Sequence, residues 1–180
     1  MKLAIIVGSI RKQSYNKKLA ERIADRLPAG SDVEWVDPNV PLMSEDLEPD
    51  QVPVEVRRAA EQVEASDAVL FVSPEYNRSF SGIIKNVIDW LGRESTGRSL
   101  RGKPAAIAGA TTGPIGTAVM QSQLRPVLAH VGVDVVPSPA VLVTVPDRMN
   151  ENGELSEQTT AQVDALIAAL MQRAINRTKP

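Results

Sequence analysis

The residues that could do chemistry gather in three short polar stretches, each of which follows an apolar run. The first stretch, Gly8–Lys18, reads G-S-I-R-K-Q-S-Y-N-K-K and leads into a helical pattern. Ser14 or Asn16 could simply cap that helix, but capping leaves the four cations of the stretch unexplained, because the positive end of a helix dipole disfavours cations. A bound phosphate would give the hydroxyls, the backbone N–H groups and Arg11 a common acceptor. The stretch therefore predicts an anion site, and a phosphate in particular.

The other two stretches combine turn residues with groups that a ligand could contact. The second, Ser73–Gly82, reads S-P-E-Y-N-R-S-F-S-G and holds two of the six aromatic residues of the chain. Tyr76 and Phe80 in one exposed connection favour a flat ring partner or a subunit contact over a plain turn. The third, Gly109–Gly116, reads G-A-T-T-G-P-I-G, and its glycines allow a ligand to approach the backbone closely.

The remaining composition leaves little chemistry to side chains. The absence of cysteine excludes disulfides, thiol nucleophiles and cysteine-based metal sites, and a single histidine excludes multi-histidine metal sites. His130 precedes Gly132 near a helix end, where a histidine is typically a dipole partner rather than a member of a catalytic triad. The net charge of −2 argues against nucleic-acid and membrane partners. An enzyme of this composition is expected to use a bound cofactor.

Five apolar units, each followed by a helical period, must position these stretches. Strands that are apolar throughout and alternate with helices are typical of a parallel sheet covered on both faces. In such a sheet, ligands bind beyond the carboxyl ends of the strands, which is where the three polar stretches fall. The predicted strands are Leu3–Val7, Val33–Val36, Ala68–Val72, Ala105–Ala108, and Val133–Val136 with Val141–Val143. The prediction is a three-layer α/β domain.

The helix after the second polar stretch has an unusually wide apolar face. At 100° per residue, its apolar side chains from Ile83 to Leu91 span about 160°, against about 100° for a helix that covers one sheet face. Deep burial in a large core is one explanation. A surface shared with a second subunit is the explanation we favour for so small a domain.

Taken together, the three stretches resemble the NADPH-dependent FMN reductase family, the flavodoxin-like group that includes quinone, chromate and azo-dye reductases. The resemblance rests on G-S-I-R-K-Q-S-Y-N at Gly8–Asn16, P-E-Y-N-R-S-F-S-G-I-I-K-N-V-I-D-W-L at Pro74–Leu91, and T-T-G-P-I-G at Thr111–Gly116. It implies a flavodoxin-like three-layer sandwich with a five-stranded parallel sheet in the order 2-1-3-4-5. It also implies noncovalent FMN, NADPH or NADH as co-substrate, and a homodimer or homotetramer through the Phe80–Leu91 region.

The resemblance assigns the residues of the first stretch to the FMN phosphate and those of the other two to the isoalloxazine ring. No side chain is assigned as a catalytic acid or base, since hydride passes through flavin N5. Arg78 fits an anionic acceptor, the 2′-phosphate of NADPH, or a carboxylate of a neighbouring subunit. The predicted cofactor-binding residues are Ser9, Arg11, Ser14, Tyr15, Asn16, Pro74, Glu75, Tyr76, Asn77, Ser79, Thr111, Thr112 and Gly113.

The implied activity is two half-reactions at one flavin, in which NAD(P)H delivers a hydride and a quinone, flavin or similar acceptor then takes two electrons. The alternative is a flavodoxin-type electron carrier or a flavin-binding protein without NAD(P)H turnover. We expect one FMN-binding domain over residues 1–176 and a polar tail over 177–180. A short apolar start without a cleavage pattern predicts a cytoplasmic protein.

Overall fold

The computed structural model describes residues 1–177 as one alternating series of strands and helices. The strands are β1 (Lys2–Val7), β2 (Asp32–Val36), β3 (Ala68–Val72), β4 (Pro104–Thr111), β5 (Asp134–Val135) and β6 (Val141–Thr144). The helices are α1 (Tyr15–Asp25), α2 (Val54–Glu64), α3 (Gly82–Leu91), α4 (Ala118–His130) and α5 (Glu157–Arg177), with short 3₁₀ turns at Glu45–Leu47 and Glu94–Thr96.

The strands form a parallel sheet in the order β2-β1-β3-β4-β5, which confirms the predicted flavodoxin-like order. β1 is an inner strand, with Ile5 opposite Trp35 of β2 on one side and opposite Leu70 of β3 on the other. The change of direction in strand order therefore falls between β1 and β3. In doubly wound sheets this is where the connecting loops diverge and leave room for a ligand.

Successive residues of the strands face two separate cores, as the pleat requires. Leu3 and Ile5 of β1 pack on one side with α1 and α5. Ala4 and Ile6 pack on the other side with α2, α3 and α4. Each of these residues is at most 1% exposed, which explains why the strands are apolar without alternation.

The expected fifth strand is two strands, so the sheet has six strands rather than five. Both β5 and β6 pair with β4, but Val135 lies opposite Ala105 whereas Val141 lies opposite Ala108. Between these two pairs the segment from β5 to β6 has three residues more than β4, and these extra residues bulge out of the ladder. The segment Pro137–Ala140 causes the break, because Pro137 and Pro139 have no N–H to donate to β4.

The wide apolar face of α3 is covered by the chain itself. Trp90 is fully buried against Val52 and Val56, and its indole N–H donates to the carbonyl of Pro41 at 2.8 Å. The long connection between β2 and α2 thus lies across α3 as a strap, which we define as residues 37–53. For the part of the apolar arc at Trp90, the expected subunit surface is wrong. Burial within the chain, the alternative explanation, accounts for this part of the arc.

Two polar anchors on α3 hold the strap. The side chain of Asn86 accepts from the N–H of Met43 at 2.9 Å and donates to the carbonyls of residues 40 and 41. At the end of the helix, Arg93 pairs with Glu45 and Glu48. The guanidinium of Arg93, with help from the Ser95 hydroxyl, lowers the pKa of Glu48 below its ordinary value.

The last helix, α5, includes Arg177, one residue beyond the expected end of the domain. The rest of the expected tail, residues 178–180, lies outside the described residues. Within residues 1–177, no helix combines the length and the apolar character that a membrane span requires.

Candidate cofactor site

The three polar stretches meet beyond the carboxyl ends of β1, β3 and β4 and enclose one cavity of about 130 Å³. Every predicted cofactor residue lines this cavity except Asn77, Ser79 and Gly113, which lie in the adjoining turns. Ala110, at the end of β4, lines it as well and was missed from the sequence. We name this space the cofactor cavity. Its lining residues are Ser9, Arg11, Ser14, Tyr15, Asn16, Pro74, Glu75, Tyr76, Ala110, Thr111 and Thr112.

Two glycines let the polar loops close on the sheet. A methyl group on Gly8 would lie 2.5 Å from both Ile84 and Ser81, at the start of α3. On Gly109, it would lie 2.4 Å from the carbonyl oxygen of Ser73. Neither position has room for a side chain, so these glycines are required by close approach rather than by a positive φ.

Ser14 caps α1 in this structure. Its hydroxyl accepts from the N–H of Lys17 at 3.2 Å, and the residue is buried. The hydroxyl can still donate, since a serine Oγ carries a proton besides its acceptor lone pairs. Capping and anion binding are therefore compatible roles for Ser14.

Asn16 ties the first polar loop to the third. Its amide donates to the carbonyl of Ala110 and accepts from the N–H of the same residue, both at 2.9 Å. The residue is buried, so both bonds are shielded from water. Both polar atoms of the Asn16 side chain thus bond to Ala110. The structural role of Asn16 is to fix the start of α1 against the end of β4.

Arg11 has no ion pair within residues 1–177. Its guanidinium lies over the ring of Tyr15, 5.1 Å from the centroid, and donates to the carbonyl of Gln13. The backbone N–H groups of Ser9 and Arg11 likewise make no hydrogen bond among the described residues. Open backbone donors beside an unpaired guanidinium fit a phosphate group.

The second loop is a tight hairpin. Tyr76 and Ser79 exchange two backbone hydrogen bonds of 2.9 Å, and the two residues between them have positive φ, 49° at Asn77 and 65° at Arg78. Positive φ at both central positions is the signature of a type I′ turn, which asparagine tolerates better than most residues. The turn places the half-exposed ring of Tyr76 at the cavity edge.

Glu75 is held by two positive groups. Its Oε2 accepts from the N–H of Met120 in the first turn of α4 at 3.0 Å, and its Oε1 lies 3.7 Å from the guanidinium of Arg78. The side chain is only 8% exposed. A carboxylate at a helix N-terminus is favoured by the helix dipole. Within its own chain Arg78 pairs with a carboxylate of the same loop, a partner that the sequence did not indicate.

The third loop turns on Thr111, whose Oγ1 accepts from the N–H of Gly113 at 3.2 Å. This local bond folds the residues after β4 away from the sheet and leaves Thr112 on the cavity wall. The wall at this point consists of small hydroxyl-bearing side chains and backbone. Together with the hairpin opposite, it bounds the part of the cavity that we name the ring slot.

The comparisons with known proteins agree with this geometry. The family model described as NADPH-dependent FMN reductase matches residues 1–146. The chain belongs to the NADPH-dependent FMN reductase family. It is accordingly an NAD(P)H-dependent oxidoreductase that uses FMN.

Individual relatives cover nearly the same length. The chain is 37% identical to a 2-hydroxy-1,4-benzoquinone reductase of a Burkholderia species over 162 residues, 89% of this chain and 88% of that protein. It is 39% identical to an NAD(P)H-dependent FMN reductase of Pseudomonas aeruginosa over 145 residues, 80% of this chain and 78% of that protein. Among solved structures, the FerB flavoenzyme NAD(P)H:(acceptor) oxidoreductase of Paracoccus denitrificans matches with a TM-score of 0.87 and 33% identity, covering 98% of both chains.

Proposed function

We propose that the chain is an NAD(P)H:quinone oxidoreductase in which the cofactor cavity holds the FMN. The observation that carries this proposal is the meeting of three polar loops at one sheet edge, around an unpaired arginine and open backbone donors. Relatives at 34–37% identity that are named for quinones support a quinone as acceptor. The chain forms one FMN-binding domain that spans β1 to α5.

The phosphate end of FMN would lie on the first loop. Arg11 supplies the charge, Ser9 a hydroxyl and an open N–H, and Ser14 the remaining hydroxyl proton. Tyr15 stacks under the guanidinium of Arg11 and limits its motion. Asn16 acts as a positioning residue, because its amide is already engaged by Ala110.

The ring end would lie between the second and third loops. Pro74, Glu75 and Tyr76 form one wall, and Asn77 and Ser79 complete the hairpin beside it. Thr111 and Thr112 form the opposite wall, and Gly113 lies in the turn that follows. When bound there, FMN supplies a two-electron centre that accepts a hydride from NAD(P)H and passes two electrons to the quinone.

The surrounding residues bind and shield rather than exchange protons. Glu75, the one carboxylate of the described chain that lines the cavity, is tied to the N–H of Met120 and to Arg78. Its Oε2 is thereby turned toward α4, and its Oε1 faces Arg78. Donor and acceptor would use the open side of the slot in turn, beside the exposed ring of Tyr76.

The test is the visible spectrum of the purified protein, followed by anaerobic addition of NADPH and then of a benzoquinone. We expect flavin absorption that bleaches with NADPH and returns with the quinone. A yellow protein that NADPH leaves unchanged would support the flavodoxin-type carrier instead. A colourless protein that takes up no added FMN would contradict the placement of the cofactor.

Arg11→Ala tests the site without relying on turnover. Because Arg11 has no ion pair among residues 1–177, its loss should raise the Kd for FMN by about tenfold or more while the urea midpoint of the FMN-free protein stays constant. Arg58→Ala is the matched control, since it removes the same charge from an exposed position on α2 outside the cavity. Equal losses of affinity and stability in Arg11→Ala would make Arg11 structural.

We also propose a homodimer or homotetramer through the outer side of α3 and the loop before it. The half-buried Phe80 and Ile83 lie there, near the exposed ring of Tyr76. Sedimentation equilibrium of the wild type and of Ile83→Glu checks this proposal, and a monomeric wild type would refute it. A cytoplasmic location stays a prediction, which cell fractionation would test.

A further inference from the structure

A second cavity opens beside the cofactor cavity, between the first polar loop and the end of β2. Its volume is about 360 Å³, within the range that holds a nucleoside-sized ligand. We name it the lateral groove, and its lining residues are Val7, Ser9, Ile10, Arg11, Lys12, Lys17, Trp35, Val36, Asp37, Pro38 and Asn39.

The lateral groove carries more positive charge than the fold compensates. Lys12 and Lys17 are both exposed, and neither forms an ion pair within residues 1–177. Asp37 is the one carboxylate among the lining residues of the described chain, and its Oδ1 is occupied by the N–H of Asn39 at 2.9 Å. Two lysines without partners beside a helix N-terminus raise the free energy of the fold unless an anion is bound.

The same groove presents apolar surface that the fold leaves uncovered. Trp35, on the edge strand β2, is 44% exposed, and Ile10 on the facing loop is 68% exposed. The indole N–H of Trp35 makes no hydrogen bond among the described residues. Scattered single apolar residues are normal on a surface, but a large ring and an aliphatic side chain lining one cation-rich cavity indicate a ligand with a flat apolar part.

The groove adjoins the cofactor cavity. A third cavity of about 320 Å³ shares Ser9, Arg11 and Tyr76 with the cofactor cavity, and it shares Ser9, Ile10 and Arg11 with the lateral groove. The three spaces therefore meet at the loop after β1. A ligand that reaches from the ring slot to the groove must be long, with an anionic group and a flat base at its far end.

We propose that the lateral groove binds the adenosine 2′-phosphate end of NADPH, with the base against Trp35 and the 2′-phosphate on Lys12 and Lys17. A phosphate monoester matches two ammonium groups, and a purine matches an exposed indole face. The proposal rests on the proposed function, since it makes the chain select NADPH over NADH.

The direct test is calorimetric titration of the FMN-loaded protein with adenosine 2′,5′-bisphosphate, which has the base and the 2′-phosphate but no nicotinamide. We expect saturable binding that Lys12→Gln and Lys17→Gln each weaken by roughly three- to tenfold. Lys18→Gln is the matched control. It removes the same charge from the same helical turn, but the Lys18 ammonium points away, toward the carbonyl of Glu151 and the ring of Tyr15.

Tryptophan fluorescence gives an independent readout because the chain has two tryptophans and Trp90 is fully buried. The bisphosphate should quench the emission of Trp35, and Trp35→Leu should remove the change. Should Trp35→Leu fold poorly, Trp35→Phe keeps a ring for the base and serves in the calorimetric titration. Adenosine 5′-monophosphate, which lacks the 2′-phosphate, should bind at least tenfold more weakly.

Absence of saturable binding by the bisphosphate, or equal losses in Lys12→Gln and Lys18→Gln, would overturn the proposal. NADPH and NADH oxidation by the same preparations separates it from the proposed function. Turnover with equal KM for the two dinucleotides would overturn the groove assignment and leave the reductase intact. Bisphosphate binding without any turnover would retain the groove and refute the reductase.

Discussion

Asn16 offers the sharpest separation between a residue that contacts the cofactor and one that positions the site. The resemblance to the family placed it on the FMN phosphate, whereas in the structure its amide is paired with the backbone of Ala110. Asn16→Ala removes the hydrogen-bond partners of both the N–H and the C=O of Ala110. If the positioning role is correct, the main loss is stability, and FMN affinity falls only as a consequence.

The size of the loss follows from the two hydrogen bonds. Both are 2.9 Å long and lie at a residue that is 4% exposed, so the N–H and C=O of Ala110 would be left buried without a partner. Each unsatisfied group costs about 1–3 kcal/mol, which gives about 2–6 kcal/mol in total. At about 2–4 °C per kcal/mol for a chain of this size, that corresponds to a fall in Tm of about 4–24 °C.

The assay is urea unfolding of the FMN-free protein followed by far-UV circular dichroism, because bound FMN would add its own stabilisation. Asn152→Ala is the control, since its exposed side chain lies in a surface turn outside the cofactor cavity and accepts or donates no hydrogen bond among residues 1–177. A stability change below about 0.5 kcal/mol, together with a tenfold weaker Kd for FMN, would refute the positioning role. Arg11→Ala is expected to show the opposite combination.

Three further changes test other parts of the site and the strap. Gly109→Ala should destabilise by about 1–3 kcal/mol in thermal unfolding because its methyl group meets a backbone oxygen at 2.4 Å, while Gly82→Ala, with open space around it, should be neutral or slightly stabilising. Glu75→Gln keeps a hydrogen-bond acceptor but removes the charge at the start of α4, so urea unfolding should show a loss of about 0.3–1 kcal/mol. Because Arg93 lowers the pKa of Glu48, that carboxylate stabilises the fold above the ordinary glutamate pKa, and the stabilisation is lost as the pH falls through the lowered value. Melting curves between pH 7 and pH 3 should therefore fall less steeply for Glu48→Gln than for the wild type, and parallel curves would contradict the ion pair.

The sheet could be predicted because strands that are buried on both faces appear in the sequence as continuous apolar runs. These runs alternate regularly with helical patterns, which is typical of a parallel sheet. The prediction of a single fifth strand was wrong, because pairing with β4 decides whether the segment forms one strand or two. Val133–Val136 and Val141–Val143 are both strand-like, but the ladder with β4 fixes their register separately. The prolines at 137 and 139 were the available signal for a break.

The site was predicted to the level of its loops but not of its side-chain partners. Residue types at the ends of strands identified the cavity walls, since parallel topology brings those ends together. They could not show that Asn16 reaches Ala110 or that Glu75 caps α4, because these partners are separated by 94 and 45 residues. The burial of Trp90 was missed for the same reason, since the strap that covers this part of α3 is remote in sequence.

The interruption between β5 and β6 also bears on aggregation. An uninterrupted strand at the edge of a sheet offers a row of free backbone groups on which another chain can pair. Here the outer neighbour of β4 is split into pieces of two and four residues, with the proline-containing bulge between them. Arg125 and Gln121 of α4 donate to the carbonyls of Val136 and Val141, on either side of that bulge. The break thus makes this edge a poor template for intermolecular strand pairing, so a concentrated solution of the enzyme gains protection from fibril-like association at that side of the sheet.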